Sequence, residues 1–305
     1  MKTILRLTTF LVITCSVSFV PSVCPAVQAA DGVSIAPDVV YGHKDGLALT
    51  FDVYRPQRNS NGAGVLFMVS GGWYSRWFPP ERSYPRFKPL VEKGFTVFAV
   101  RHGSSPRYSI PEAVSDVRRS VRYIRLHAKR FGVDADRLGV WGGSAGGHLS
   151  LMLGTASDRG NSQASDPVLR VSDRVAAVVA FFPPTDLRGV IWSAPNVNPV
   201  YKRFPALNLE AAKAAKASPL LHVSADDPPT LLVHGDQDTL VPISHSEQIL
   251  AAFQKQKVIC RLIVIKGAGH GFGGMDNQRA VAETIKWFEK HLRTPAAKKK
   301  QSRKK

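Results

Sequence analysis

Three cysteines in 305 residues leave no disulfide framework to hold this chain together. Two of them, Cys15 and Cys24, fall within the first 29 residues, and Cys260 lies in an apolar run, VICRLIVI, that reads as a buried strand with an inert thiol. Acidic residues are scarce: 23 Asp and Glu stand against 41 Lys and Arg, for a formal net charge of +18. The histidines never pair at metal-ligand spacing, and no Gly-Lys-Ser/Thr loop is present to cradle phosphate. Neither a metal nor another cofactor is therefore expected. No aromatic residue interleaves the basic C-terminal run, so base stacking on nucleic acid has no support.

What is present divides the chain into three parts. Residues 1–29, MKTILRLTTFLVITCSVSFVPSVCPAVQA, combine a basic start at Lys2 and Arg6, an apolar stretch and a small-residue end. They read as a signal peptide cut after Ala29 or Ala30, and place the mature protein outside the cell or in a periplasm. The apolar stretch is short and broken by Thr, Ser and Pro, which argues against a permanent anchor. Residues 294–305, TPAAKKKQSRKK, read as a disordered basic tail. Such a tail is either solvated or held on an anionic envelope surface. Between them, residues 30–293 form one domain, with an apolar content of 44% over the whole chain that suits a sizeable core.

Within that domain strands alternate with helices. LALTFDVYRP (47–56) alternates apolar and polar residues and predicts an outer antiparallel strand. GVLFMVS (64–70), FTVFAVR (95–101), RLGVWG (137–142), RVAAVVAFFP (174–183), TLLVHG (230–235) and VICRLIVI (258–265) are near-continuous apolar runs, as in strands covered on both faces. Helices are predicted at 87–94, 110–132, 145–156, 244–256 and 276–292. In the second of these, Val114, Val117, Val121, Ile124 and Leu126 share a face. The expected fold class is α/β, a mostly parallel central sheet with helices on both faces. Residues 184–228, rich in Pro and Asn and then in Ala and Lys, fit this alternation least and predict a small cap insertion.

Three loops carry the chemistry. GVWGGSAGGH (139–148) sets Ser144 in Gly-x-Ser-x-Gly between a strand and a helix, a turn so tight that only hydrogen fits at its flanks. TLLVHGDQDTLVP (230–242) offers Asp236 and Asp238 just past a strand; the spacing before the next helix favours Asp238, with Asp236 as the alternative. VIKGAGHGFGG (264–274) puts His270 in a glycine-rich loop after the last strand. A hydroxyl, a carboxylate and an imidazole in the order Ser144, Asp238, His270 predict a nucleophile–base–acid triad on an α/β-hydrolase fold. A negative charge developing at the attacked carbonyl then needs backbone donors. Ala145 and, from the loop Ser70-Gly71-Gly72-Trp73-Tyr74, the amides of Gly72 and Trp73 are the candidates. The aromatic residues Trp73, Tyr74 and Trp77 either line a substrate cleft or pack under the cap.

These stretches resemble the secreted carboxylesterase-like branch of the α/β-hydrolases, including its feruloyl- and acetylxylan-esterase-like group. The resemblance extends over ERSYPRFKPLVEKGFTVFAVRHG, DVRRSVRYIR and SPLLHVSADDPPTLLVHGDQD. It implies a serine hydrolase acting on small-molecule or polysaccharide esters, and assigns Arg101 and Asp116 to bracing. The branch usually carries histidine where Ser70 stands, a departure that bears on how the loop is held. The chain is also similar to the catalytic domain of prolyl oligopeptidases, so a serine peptidase is a rival reading. A binding protein that keeps the fold without the chemistry, attached by its tail to an anionic surface, is another.

Overall fold

A computed structural model describes residues 27–29, 32–188 and 204–293. Most of the predicted leader, the stretch 189–203 of the predicted cap and the basic tail lie outside the described residues.

The chain opens with an antiparallel group: β1 (Val27–Ala29), β2 (Val33–Lys44) and β3 (Leu47–Pro56). There follow β4 (Gly64–Met68), α1 (Pro80–Glu92), β5 (Thr96–Val100), α2 (Ile110–Leu126), α3 (Ala128–Phe131), β6 (Leu138–Gly143) and α4 (Ala145–Thr155). The series closes with β7 (Ala177–Phe181), α5 (Ala211–Lys216), β8 (Thr230–Gly235), α6 (Ser244–Lys255), β9 (Cys260–Ile265) and α7 (Gly274–His291). Nine strands form one sheet in the order β1-β2-β3-β5-β4-β6-β7-β8-β9. Pairing is antiparallel from β1 through β3 to β5, and parallel from β5 to β9. This is the α/β architecture that the strand–helix alternation predicts.

Because successive side chains on a strand point to opposite faces, the central strands feed two separate cores. Leu66 and Met68 join Val117, Val121, Leu149 and Phe253 of α2, α4 and α6 on one face. Val65 and Phe67 join Phe87, Leu90, Trp287 and Phe288 of α1 and α7 on the other. Both faces are covered, and so the strands between read as unbroken apolar runs. The described part of the predicted cap belongs to the first core: Ala206, Leu207, Ala214 and Ala217 pack into it.

Four sequence expectations need correction. The run 47–56 is not the outer strand, because β2 pairs along its free side; β2 alternates weakly and carries bulges, which hid it. VICRLIVI forms the last strand of the sheet, paired among the described residues only to β8, with Ile259 and Val264 exposed by 58% and 40%, and Cys260 is half-buried. The helix predicted over 110–132 breaks at His127 into α2 and α3, and Leu126 turns outward. Helix α1 starts at Pro80, a full turn and more before the predicted 87, since proline is well tolerated in a helix's first turn.

Two ion-pair braces hold the chain as it leaves the carboxyl end of β5. Arg101 forks onto Asp52, with Nη1 donating to Oδ2 at 2.6 Å and Nη2 to Oδ1 at 2.9 Å, and also reaches Asp38. Asp116 accepts from the Gly103 amide at 2.9 Å and pairs with Lys44. Phe98 on β5 is fully buried and meets Phe51 and Phe131 edge-on. Phe98→Ala is expected to cost about 3–5 kcal/mol in urea unfolding; a loss under 1 kcal/mol would mean that this aromatic cluster does not support the sheet.

Candidate active site

The site is built at the carboxyl ends of β6, β8 and β9, where loops leave the parallel sheet. Between β6 and α4 the chain reverses within one residue, Ser144, whose φ of 53° and ψ of −122° lie in a region that side chains rarely adopt. The flanking glycines are required by contact. A Cβ on Gly142 would sit 2.4 Å from the Gly146 backbone, and one on Gly146 would sit 2.7 Å from the Met68 carbonyl oxygen. The Ser144 amide is used internally, donating to Phe181 O at 2.9 Å.

His270 and Asp238 reach this hydroxyl from the two following loops. His270 Nδ1 lies 2.8 Å from Asp238 Oδ2, and its Nε2 lies 2.9 Å from Ser144 Oγ. A carboxylate only accepts, so it draws the imidazole proton to Nδ1 and leaves Nε2 free to accept from the serine hydroxyl. The phenyl ring of Phe182 meets the imidazole at 4.7 Å between centroids and limits its swing. Asp238 is deeply buried, and its Oδ1 accepts from the amides of Leu240 and Val241, each at 2.9 Å. Burial pushes its pKa up, but hydrogen bonds from His234, His270 and the Val241 amide outweigh this and hold it well below the usual carboxylate range. The alternative acid, Asp236, instead accepts from the Gly267 amide at 2.7 Å and braces the loop that carries His270.

His234 was not visible as part of this group. It is fully buried; its Nε2 sits 2.8 Å from Val241 O and 3.3 Å from Asp238 Oδ2. The carbonyl assigns the proton to Nε2, so Nδ1 accepts from the Ser246 hydroxyl at 2.7 Å. Only its place four residues before Asp238 in HGDQD hinted at this contact.

The predicted backbone donors converge on the same place. Gly72 and Trp73 adopt φ of 57° and 56°, and with Ser144 they bound a small apolar pocket of about 20 Å³ completed by Pro184, Phe204, Leu207, Leu240 and Val241. Among the described residues, no hydrogen bond occupies the amides of Gly72, Trp73 or Ala145. Ser70, where the resemblance leads one to expect histidine, is bonded to one: His102 Nε2 lies 2.9 Å from Ser70 Oγ, and Nδ1 lies 2.8 Å from Gly103 O. The imidazole thus comes from the end of β5 instead. The loop is further stitched by Ser105 N donating to Trp73 O and Ser75 N donating to Ser104 Oγ.

The three aromatic candidates part company. The Trp73 indole is 4% exposed and donates from Nε1 to His148 Nδ1 at 3.1 Å, while His148 Nε2 donates to Ala217 O at 2.6 Å. Its side chain anchors the loop and ties it to the segment before β8, so that of the two expected roles it packs inward while still bounding the small pocket beside Ser144. Trp77 stands on the surface, its indole N–H on the Asp38 carboxylate, and lines neither cavity beside Ser144. Tyr74 does line a cleft, of about 950 Å³, which begins at Gly143 and Gly271 and runs over Phe182 and Phe272. No cluster of metal-ligating side chains occurs among the described residues.

The sequence profile of the BD-FAE family matches residues 51–253, and that of the TAP-like protein family matches residues 208–301. The Mycobacterium tuberculosis protein named "Probable carboxylic ester hydrolase LipM" is 32% identical over 232 residues, covering 73% of this chain and 53% of its own length. "Esterase LipQ" from the same organism is 27% identical over 82% of this chain and 61% of its own length. The chain therefore spans between about half and three fifths of these curated relatives. Among solved structures, the acetyl ester-xyloside bifunctional hydrolase of Caldicellulosiruptor lactoaceticus superimposes with a TM-score of 0.71 at 25% identity, over 83% of this chain and 95% of that one. A thermophilic esterase from Thermogutta terrifontis does so with a TM-score of 0.69 at 24% identity, over 87% and 97%.

Burial pulls the pKa of His148 down from 6.5 to about 4, and that of His245 likewise. The unfolded chain takes up those protons from about pH 6.5 downward and the folded chain does not, so stability falls as pH drops through that window. The melting temperature is expected to decline between pH 7 and pH 4.5, and His148→Gln to flatten part of that slope. A variant with the full wild-type slope would contradict the buried, neutral imidazole.

Proposed function

The chain belongs to the BD-FAE family, and from that premise we propose that it is a serine hydrolase that cleaves carboxylic esters through an acyl-enzyme. The observation that carries the reading is the unbroken run of hydrogen bonds from Asp238 through His270 to Ser144. Ser144 Oγ attacks the ester carbonyl carbon as His270 Nε2 takes the hydroxyl proton. The ester C–O bond then breaks, and His270 returns the proton to the departing alcohol. Water repeats the sequence on the acyl-serine and releases the acid. Asp238, kept ionised by its own hydrogen bonds, holds the imidazole in the tautomer that accepts and stabilises the imidazolium. The amides of Gly72, Trp73 and Ala145 receive the negative charge that develops on the carbonyl oxygen.

The two cavities divide the ester. The pocket of about 20 Å³ has room for little more than one water-sized group, which suits an acetyl or similarly short acyl chain. The cleft of about 950 Å³ suits a bulky alcohol such as a sugar unit of a polysaccharide. The acetyl ester-xyloside hydrolase among the structural neighbours lends this division support. The basic start and small-residue end of the leader support export, with cleavage at Ala29 or Ala30. A cut after Ala29 would remove β1, which pairs only with β2, and leave the rest of the sheet intact.

Ser144→Ala is expected to lower turnover of p-nitrophenyl acetate by about 10⁴-fold or more; near-normal turnover in a clean preparation would reject the mechanism. Asp238→Asn is expected to be almost as severe and Asp236→Asn mild, with both read as kcat/KM on the same ester. The reverse ranking would reassign the acid.

A further inference from the structure

Arginine is treated unevenly across this molecule. On α2 the arginines are claimed: Arg118 by Asp173, Arg119 by Asp166, Arg122 by Asp158, and Arg125 by the carbonyls of Ser172 and Arg174. Beside the large cleft, Arg76, Arg82 and Arg86 show no carboxylate or carbonyl partner among the described residues. Each instead lies over an aromatic face: Arg76 over Tyr74 at 5.6 Å, Arg82 over Phe78 at 5.6 Å and Arg86 over Phe67 at 5.2 Å. A guanidinium stacked in this way is oriented while its N–H edge stays free to fork onto an oxyanion.

Their placement is specific to the site. Arg76 and Arg86 line the cleft that begins at Gly143 and Gly271, the neighbours of Ser144 and His270. The same two arginines, with Phe67, Val69 and Phe78, also line an adjoining cavity of about 270 Å³, to which Arg82 contributes. Among the described residues, the cleft has no acidic residue in its wall. The one carboxylate of the adjoining cavity, Asp52, is occupied on both oxygens by Arg101 and on Oδ1 also by the Asp38 amide. The two adjoining cavities therefore present three guanidinium groups and, among the described residues, no unpaired carboxylate. Aromatic faces in the same walls suit the flat side of a sugar or phenyl ring.

We propose that this cleft selects esters whose alcohol half carries a carboxylate, with Arg76, Arg82 and Arg86 as the groups that recognise it. The inference rests on the ester-hydrolase reading above and narrows its substrate class. Such a substrate seats its short acyl group in the small pocket beside Gly72 and its anionic leaving group between the stacked arginines. Bidentate charge-assisted hydrogen bonds there add affinity and fix orientation.

The test compares two acetyl esters of matched shape, 3-acetoxybenzoate and 3-acetoxybenzamide, by kcat/KM. The wild type is expected to prefer the anionic ester by about tenfold or more at low ionic strength, with the preference shrinking in 0.5 M NaCl as screening shortens its reach. In Arg76→Gln/Arg82→Gln/Arg86→Gln the ratio of the two kcat/KM values is expected to fall about tenfold, and in single Arg76→Gln or Arg86→Gln variants by part of that. Using the ratio cancels the intrinsic reactivity of each ester and any general loss of activity. A control, Arg58→Gln/Arg130→Gln/Arg159→Gln, removes the same charge from surfaces away from both cavities and is expected to keep the preference. Equal kcat/KM for the two esters in the wild type would overturn the inference and leave the hydrolase reading standing. So would an equal loss in the control, which would assign the preference to overall charge. Absence of Ser144-dependent turnover of either ester would overturn both readings.

Discussion

The left-handed backbone of Ser144 is the constraint from which the rest of the site follows. A non-glycine residue in such a conformation costs about 1–3 kcal/mol and persists only where its surroundings leave no alternative. Here β6 is locked between β4 and β7, and α4 is fully buried, so the chain must reverse in one residue. Gly142 and Gly146 make that reversal possible because nothing larger than hydrogen fits between them. The hydroxyl is thereby held above the sheet at the start of a helix, where its own side chain has little freedom. Asp238 and His270, on loops leaving β8 and β9 farther along the parallel sheet, only have to reach that fixed point.

A second layer of histidines holds what the first layer uses. His102 takes the hydroxyl of Ser70, His148 takes the indole of Trp73, and His234 sits against Asp238. All three are buried, and each has a backbone carbonyl on one nitrogen, which settles the tautomer and frees the other nitrogen to accept. Neutral imidazole suits such bracing because it offers one donor and one acceptor in a rigid plane without burying a charge. The loop of Gly72 and Trp73 is thus stitched to the end of β5 on one side and to α4 on the other. In this way Ser70 and His102 together supply an imidazole where the chain departs from the pattern it resembles.

Charge is arranged by the same logic. Where arginines support the fold, carboxylates or carbonyls meet them, as on α2 and around Arg101. Beside the cleft, among the described residues, they are met by aromatic rings instead. The scarcity of acidic residues in the composition therefore has a local expression, in cavity walls where no Asp or Glu is free to neutralise the arginines.

The fold class was legible in the sequence, and so were Ser144, His270 and a pair of aspartates from which one partner had to be chosen. Near-continuous apolar runs alternating with amphipathic helices point to a sheet covered on both faces, although the last run proved to be an edge strand among the described residues. The glycines around Ser144 and the loop positions of Ser144, Asp236, Asp238 and His270 are local features that a linear reading preserves. The choice between Asp236 and Asp238 leaned on spacing, and only the three-dimensional course of the loop separated a carboxylate facing His270 from one facing the Gly267 amide. The inward turn of Trp73, the outward turn of Trp77, the three bracing histidines and the exposed edge at β9 were decided by tertiary structure alone. Each depends on which residues distant in sequence arrive alongside: Ala217 beside His148, Asp38 beside Trp77 and, among the described residues, β8 alone beside β9. Patterns of period and spacing record what a segment can do, whereas the partner that completes it is set by packing.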